Sequence, residues 1–160
     1  MSFSVLLVCT GNICRSVMAE QILREAAANI GFAILVDSAC ISDEAHGHGF
    51  DSRAARALRE GGYRVPSHRA RQVQAGELQR WDLILAMTSS HLRALERLAG
   101  GPDPKIRMFR DFEESAGESA RGGNRAVPDP WYGDYSDFEA PRAPIEKCTP
   151  AILAYAVGSL

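Results

Sequence analysis

The sequence lacks a long hydrophobic run; the longest near the N-terminus, Val5 to Cys9, is far too short to cross a bilayer. It lacks a basic leader with a small-residue cleavage site, so no signal peptide is expected and a cytoplasmic location is. It lacks an excess of one charge, and the formal net charge of −2 argues against a broad nucleic-acid footprint. Cysteines are few: Cys9, Cys14, Cys40 and Cys148 in 160 residues. Disulfide frameworks belong to small exported domains, and this chain is long enough to bury a core without them. Reduced thiols are therefore expected, and a thiol that matters here is chemical rather than structural. No internal repeat or low-complexity linker breaks the chain, which predicts one domain over residues 1–160. Apolar residues at 46% and charged residues at 24% fit a globular domain, neither disordered nor membrane-embedded.

What is present alternates between two periodicities. Phe3 to Val8 is an apolar run ending at a Thr-Gly-Asn turn, which predicts a buried first strand. From Ser16 the spacing becomes helical, with Val17, Met18, Ile22, Leu23, Ala26 and Ala27 on one stripe and Gln21, Arg24 and Glu25 off it. Ile34 to Ala39 predicts a second strand. Asp51 caps a helix through Ala54, Ala55 and Leu58 that Gly61-Gly62 stops. Trp81 to Met87 predicts a third strand, with Thr88 or Ser89 capping a helix to Leu98, and Lys105 to Phe109 a fourth. Asp111 to Val127 reads as a loop with at most one helical turn. A last helix is expected from about Asp137 towards Val157, with Pro141 in its first turn and Pro144 as a source of a kink. This order predicts a doubly wound, Rossmann-like fold: four parallel strands with helices on both faces.

The chemistry concentrates in Val8 to Glu20, VCTGNICRSVMAE. A Cys and an Arg separated by five residues is a weak signal, but its context is specific. The loop leaves the C-terminal end of a strand and enters a helix, where open α/β sheets bind ligands. There the N–H groups of residues 10–15 can wrap a phosphate, aided by the partial positive charge of the helix N-terminus. Gly11 and Asn12 tolerate the left-handed backbone such a loop needs. Arg15 offers a planar fork for two oxygens. The same donors favour a thiolate at Cys9: an ordinary thiol is only about 3% ionised at pH 7, and lowering its pKa to about 5 takes about 5 kcal/mol. The plainer reading, a buried structural cysteine beside a helix-capping turn, leaves the other loop residues unexplained.

A second constellation is Asp129 to Asp134, DPWYGD. Alone, an Asp-Pro is a turn. Beside a phosphate loop it becomes a candidate proton donor, because phosphoryl transfer from a tyrosine expels a basic phenolate. Pro130 would stiffen this segment, and Trp131 and Tyr132 would wall the phenyl ring.

With both motifs in view, the chain resembles the low-molecular-weight protein-tyrosine phosphatases over nearly its whole length. The resemblance rests on Val8 to Ser16, Asp129 to Tyr132, Asp37-Ser38-Ala39, Asp51 with Arg53, His68 to Gln72 and Asp82 to Met87. It implies hydrolysis of phosphotyrosine through a phosphocysteine, without metal or cofactor. Cys9 would be the nucleophile, Arg15 the phosphate clamp and Asp129 the general acid. Thr10, Gly11, Asn12, Ile13, Cys14, Arg15 and Ser16 would bind phosphate. Ser16 would also stabilise the thiolate, and Asn12, Ser38 and His68 would hold the loop's shape. Ile13, Glu44, Trp131 and Tyr132 would border the substrate, and Cys14 would pair reversibly with an oxidised Cys9. The implied partner is a phosphotyrosine protein, with a bacterial tyrosine kinase as one candidate, and a monomer is expected. Four positions depart from the family pattern: Val17 in place of a frequent proline, Cys40 in place of a small residue, Glu44 in place of an aromatic and Thr88 in place of an aspartate. Glu44 and Thr88 bear on substrate range.

Thiol-dependent arsenate reductases share the first loop but need further cysteines, and Met87 to Leu98 holds none. Protein-arginine phosphatases are nearer, but typically carry threonine where this chain has Ile13. A non-enzymatic phosphate-binding module needs no nucleophile and acid together. His46 and His48 near Cys40 form no convincing metal set, since histidines alternating in a Gly-rich loop are commonly exposed.

Overall fold

The computed structural model describes residues 2–9, 15–42, 49–113 and 142–159. Four strands, β1 (Phe3–Cys9), β2 (Ile34–Cys40), β3 (Leu83–Ala86) and β4 (Ile106–Met108), form one sheet. All pairs are parallel, in the order β2-β1-β3-β4. The helices are α1 (Arg15–Asn29), α2 (Ser52–Glu60), α3 (Ser89–Ala99) and α4 (Arg142–Gly158). Parallel strands connected by helices have both faces covered, so β1 is buried at every position rather than alternating with solvent. Its odd residues Phe3, Val5, Leu7 and Cys9 join a core with α1, α2 and α4. Its even residues Leu6 and Val8 join a second core with Leu95 of α3 and Leu78.

Local signals set the helix ends as expected. Asp51 accepts the Arg53 N–H at 2.8 Å to start α2, and Thr88 Oγ1 accepts the His91 N–H at 3.2 Å to start α3. Gly100, at φ 85°, takes the left-handed turn that ends α3.

Tertiary packing changes the remainder. β3 is shorter than Trp81 to Met87, because residues 75–80 form a 3₁₀ turn whose end places Trp81 outside the ladder. β4 is likewise cut short by a 3₁₀ turn at Phe109–Phe112. α1 is buried all round over Arg15–Leu23, including Gln21, which the stripe placed outside; β1, β2, α2 and α4 pack against it. α4 is described from Arg142, with Pro144 in its first turn; residues 137–141 lie outside the described residues. The proline within the helix is Pro150, whose ring nitrogen has no N–H to give the Glu146 carbonyl. Among the described residues no helix is long and apolar enough to cross a membrane.

Candidate active site

The sheet order reverses direction at β1: the chain moves outward to β2, then crosses back to β3 on the other side. A crevice opens at such a switch point, beyond the C-terminal ends of the strands. Cys9 is the last residue of β1 and Arg15 the first of α1, so both stand at this end of the sheet. Cys9 and Arg15 are 1% and 3% exposed, and Ser16 is fully enclosed.

Within this enclosure Cys9 Sγ and Ser16 Oγ are 3.1 Å apart. Either atom can donate when sulfur is protonated; a thiolate can only accept, and the serine hydroxyl then donates to it. A charge on sulfur would then be met by the serine hydroxyl in a buried site.

On the buried side of α1 stands a carboxylate to which the sequence reading assigned no role. Glu20, 6% exposed, accepts the Ser38 hydroxyl at 2.7 Å and pairs with Arg24 at 2.9 Å. Arg24 also donates to the Val36 carbonyl at 2.8 Å, which joins α1 to β2. Ser38 thus holds the helix that follows the loop. A glutamate in an amphipathic helix carries no sequence mark of burial; only Ser38, 18 residues away, decides it.

The HRARQ segment folds along the edge of β2. The Cys40 N–H donates to the Arg71 carbonyl at 2.8 Å, and the Val73 N–H to the Cys40 carbonyl at 2.9 Å. Arg71 forks onto Glu77, 2.9 Å to each oxygen, and reaches Asp37 at 2.9 Å. These contacts, led by the hydrogen bond to Glu77, raise the Arg71 guanidinium above its ordinary value. Burial alone would raise the Glu77 carboxyl, but the bonds from Arg71, the Gln74 N–H and the Trp81 indole outweigh it and hold the group below its ordinary range. His68 is half-buried, edge-on to Phe50 with ring centroids 6.1 Å apart.

Cys40 is fully buried, with its sulfur 2.7 Å from the Ser42 carbonyl and 3.0 Å from that of Arg71. Cys148 is on the buried face of α4, where burial first, then nearby acidic groups, push its thiol up to about 12. Among the described residues no group of three metal-ligating side chains comes together. Thr10, Gly11, Asn12, Ile13, Cys14, Glu44, His46, His48, Asp129, Trp131 and Tyr132 lie outside the described residues.

Fold and site together define a parallel α/β protein with a buried thiol and guanidinium at the switch point, the architecture of a cysteine-based oxyanion enzyme. The family model "Low molecular weight phosphotyrosine protein phosphatase" matches residues 4–157, and the chain belongs to this family. A low molecular weight protein-tyrosine-phosphatase of Streptomyces coelicolor is 39% identical over 158 residues, 96% of this chain and 93% of that one. Low molecular weight protein-tyrosine phosphatase A of Mycobacterium tuberculosis is 41% identical over 150 residues, 92% of this chain and 88% of that one. The crystal structure of a protein tyrosine phosphatase from Entamoeba histolytica superimposes with a TM-score of 0.86 at 28% identity, covering 99% of this chain and 100% of the other.

Proposed function

We propose that this chain hydrolyses phosphotyrosine in proteins, with Cys9 as nucleophile, Arg15 as phosphate clamp and Asp129 as general acid and base. The observation that carries the residue roles is the Cys9–Ser16 contact at 3.1 Å beside the buried Arg15, at the switch point of the sheet. The Cys9 thiolate attacks phosphorus, the P–O bond to the tyrosine breaks, and Asp129 gives its proton to the departing phenolate. Arg15 and the amides of Thr10, Gly11, Asn12, Ile13, Cys14 and Ser16 take the charge of the non-bridging oxygens. Water then attacks the phosphocysteine, Asp129 takes its proton, and the Cys9 thiolate leaves with its electron pair. Ser16 meets the sulfur charge at the beginning and end of the cycle.

Asn12, Ser38 and His68 hold the loop, while Ile13, Glu44, Trp131 and Tyr132 face the substrate. The reaction requires a reduced thiol, which supports a cytoplasmic protein and reversible inactivation through Cys9 and Cys14. The family match spanning residues 4–157 supports one domain acting on a phosphotyrosine protein; a monomer, and a tyrosine kinase as one candidate substrate, come from the family resemblance alone.

Replacing Cys9 by Ser tests the centre of this reading. Aryl phosphate turnover is expected to vanish while inorganic phosphate still protects the protein against heat. Residual turnover in Cys9→Ser above about a thousandth of wild type assigns the nucleophile elsewhere.

A further inference from the structure

Cys40 is a departure from the family pattern whose thiol the proposed chemistry does not use. It stands at the end of β2 as the register partner of Cys9 at the end of β1. The two strands are bonded at this level, since the Ile41 N–H donates to the Cys9 carbonyl at 2.9 Å. Paired parallel strands run about 4.8 Å apart, inside the Cα range of about 4.4–6.8 Å that a disulfide spans. Their side chains share a face. The preceding register partners, Val8 and Ala39, both point into the core beside α3, so Cys9 and Cys40 both point to the α1 side.

We propose that Cys40 is a resolving thiol for oxidised Cys9, additional to the Cys14 that the family resemblance implies; this rests on Cys9 being the reactive thiolate. Hydrogen peroxide is the oxidant. The Cys9 thiolate attacks one peroxide oxygen, the O–O bond breaks, and Cys9 sulfenic acid forms with release of hydroxide. Cys40 sulfur then attacks the Cys9 sulfur, the S–OH bond breaks, and the Cys40 proton leaves with the hydroxyl as water. At rest the Cys40 thiol is held on the Ser42 and Arg71 carbonyls, 2.7 and 3.0 Å away. A turn about χ1 to another staggered well carries its sulfur from those carbonyls towards β1. The Cys40 backbone is held on one side by β1 and on the other by the Arg71 carbonyl and the Val73 N–H, so the thiol turns on a fixed backbone.

The test uses the Cys14→Ser and Cys14→Ser/Cys40→Ser proteins, treated with hydrogen peroxide and then dithiothreitol, each compared with its own untreated aryl phosphatase activity. Cys14→Ser is expected to recover more than about half of that activity, and the double variant less than about a tenth. Mass spectrometry of oxidised Cys14→Ser digested with trypsin is expected to show residues 1–15 joined to residues 25–53. This second readout needs only the single variant, so poor folding of the double variant leaves the test intact. Sulfinic or sulfonic Cys9 without that joined peptide overturns the Cys40 assignment and leaves Cys9 as nucleophile. An unmodified Cys9 in inactivated protein overturns both.

Discussion

Cys9 Sγ and Ser16 Oγ, seven residues apart in the chain, meet at 3.1 Å across the β1–α1 loop. The strand brings one and the first turn of the helix the other, so the contact is a property of the junction. Replacing Ser16 by Ala removes a donor to the ionised sulfur, worth about 1.5–3 kcal/mol for a bond to a charged group. Aryl phosphatase kcat/KM is expected to fall about 10- to 100-fold, the size of that lost bond. An unchanged kcat/KM would show that Ser16 does not meet the sulfur charge.

Arg15 is fixed at the first position of α1, where its planar fork can address two oxygens at once. Lysine keeps the charge and loses the fork. Arg15→Lys is expected to retain less than about a tenth of wild-type kcat/KM on aryl phosphates. Near-normal activity would mean that charge alone suffices and the two-pronged clamp is wrong.

The proposed role of Asp129 predicts a dependence on leaving group. Asp129→Ala is expected to slow phenyl phosphate and phosphotyrosine peptides by about 10²- to 10⁴-fold, the size of general-acid catalysis. An aryl phosphate whose phenol has a pKa near ~5 is expected to suffer much less, since its leaving group needs no proton. A uniform loss across leaving groups points to a positioning role.

Glu77 makes a stability prediction with a definite sign. Its carboxyl is held below the ordinary value of 4.5, so its contribution is full above that pH and fades as pH falls through the folded value. The half-exposed Arg71 partner places the loss in Glu77→Gln at about 2–3 kcal/mol, below that of a fully buried pair. Thermal unfolding is expected about 5–10 °C lower than wild type near neutral pH, with the gap closing at acid pH. A gap that persists unchanged at pH 3 would assign the effect to packing instead of charge.

Much of this protein was determined locally. The run from Phe3 to Val8, the Asp51 and Thr88 caps and the glycines after α2 and α3 act within one turn or one strand, and they formed where expected. The placement of Cys9 and Arg15 at a strand–helix junction was legible for the same reason. Only tertiary structure decided that the strands order as β2-β1-β3-β4, which puts that junction at a crevice. Only packing on every side buries Gln21 and Glu20, and only Ser38 and Arg24 make a buried carboxylate tolerable there. The contact of Arg71 with Asp37, 34 residues away in the chain, and the register pairing of Cys40 with Cys9 exist only once the strands and the segment beside them have come together. Short-range pattern records what a segment prefers; which segments meet depends on burial summed over the whole chain, and no single segment carries that sum.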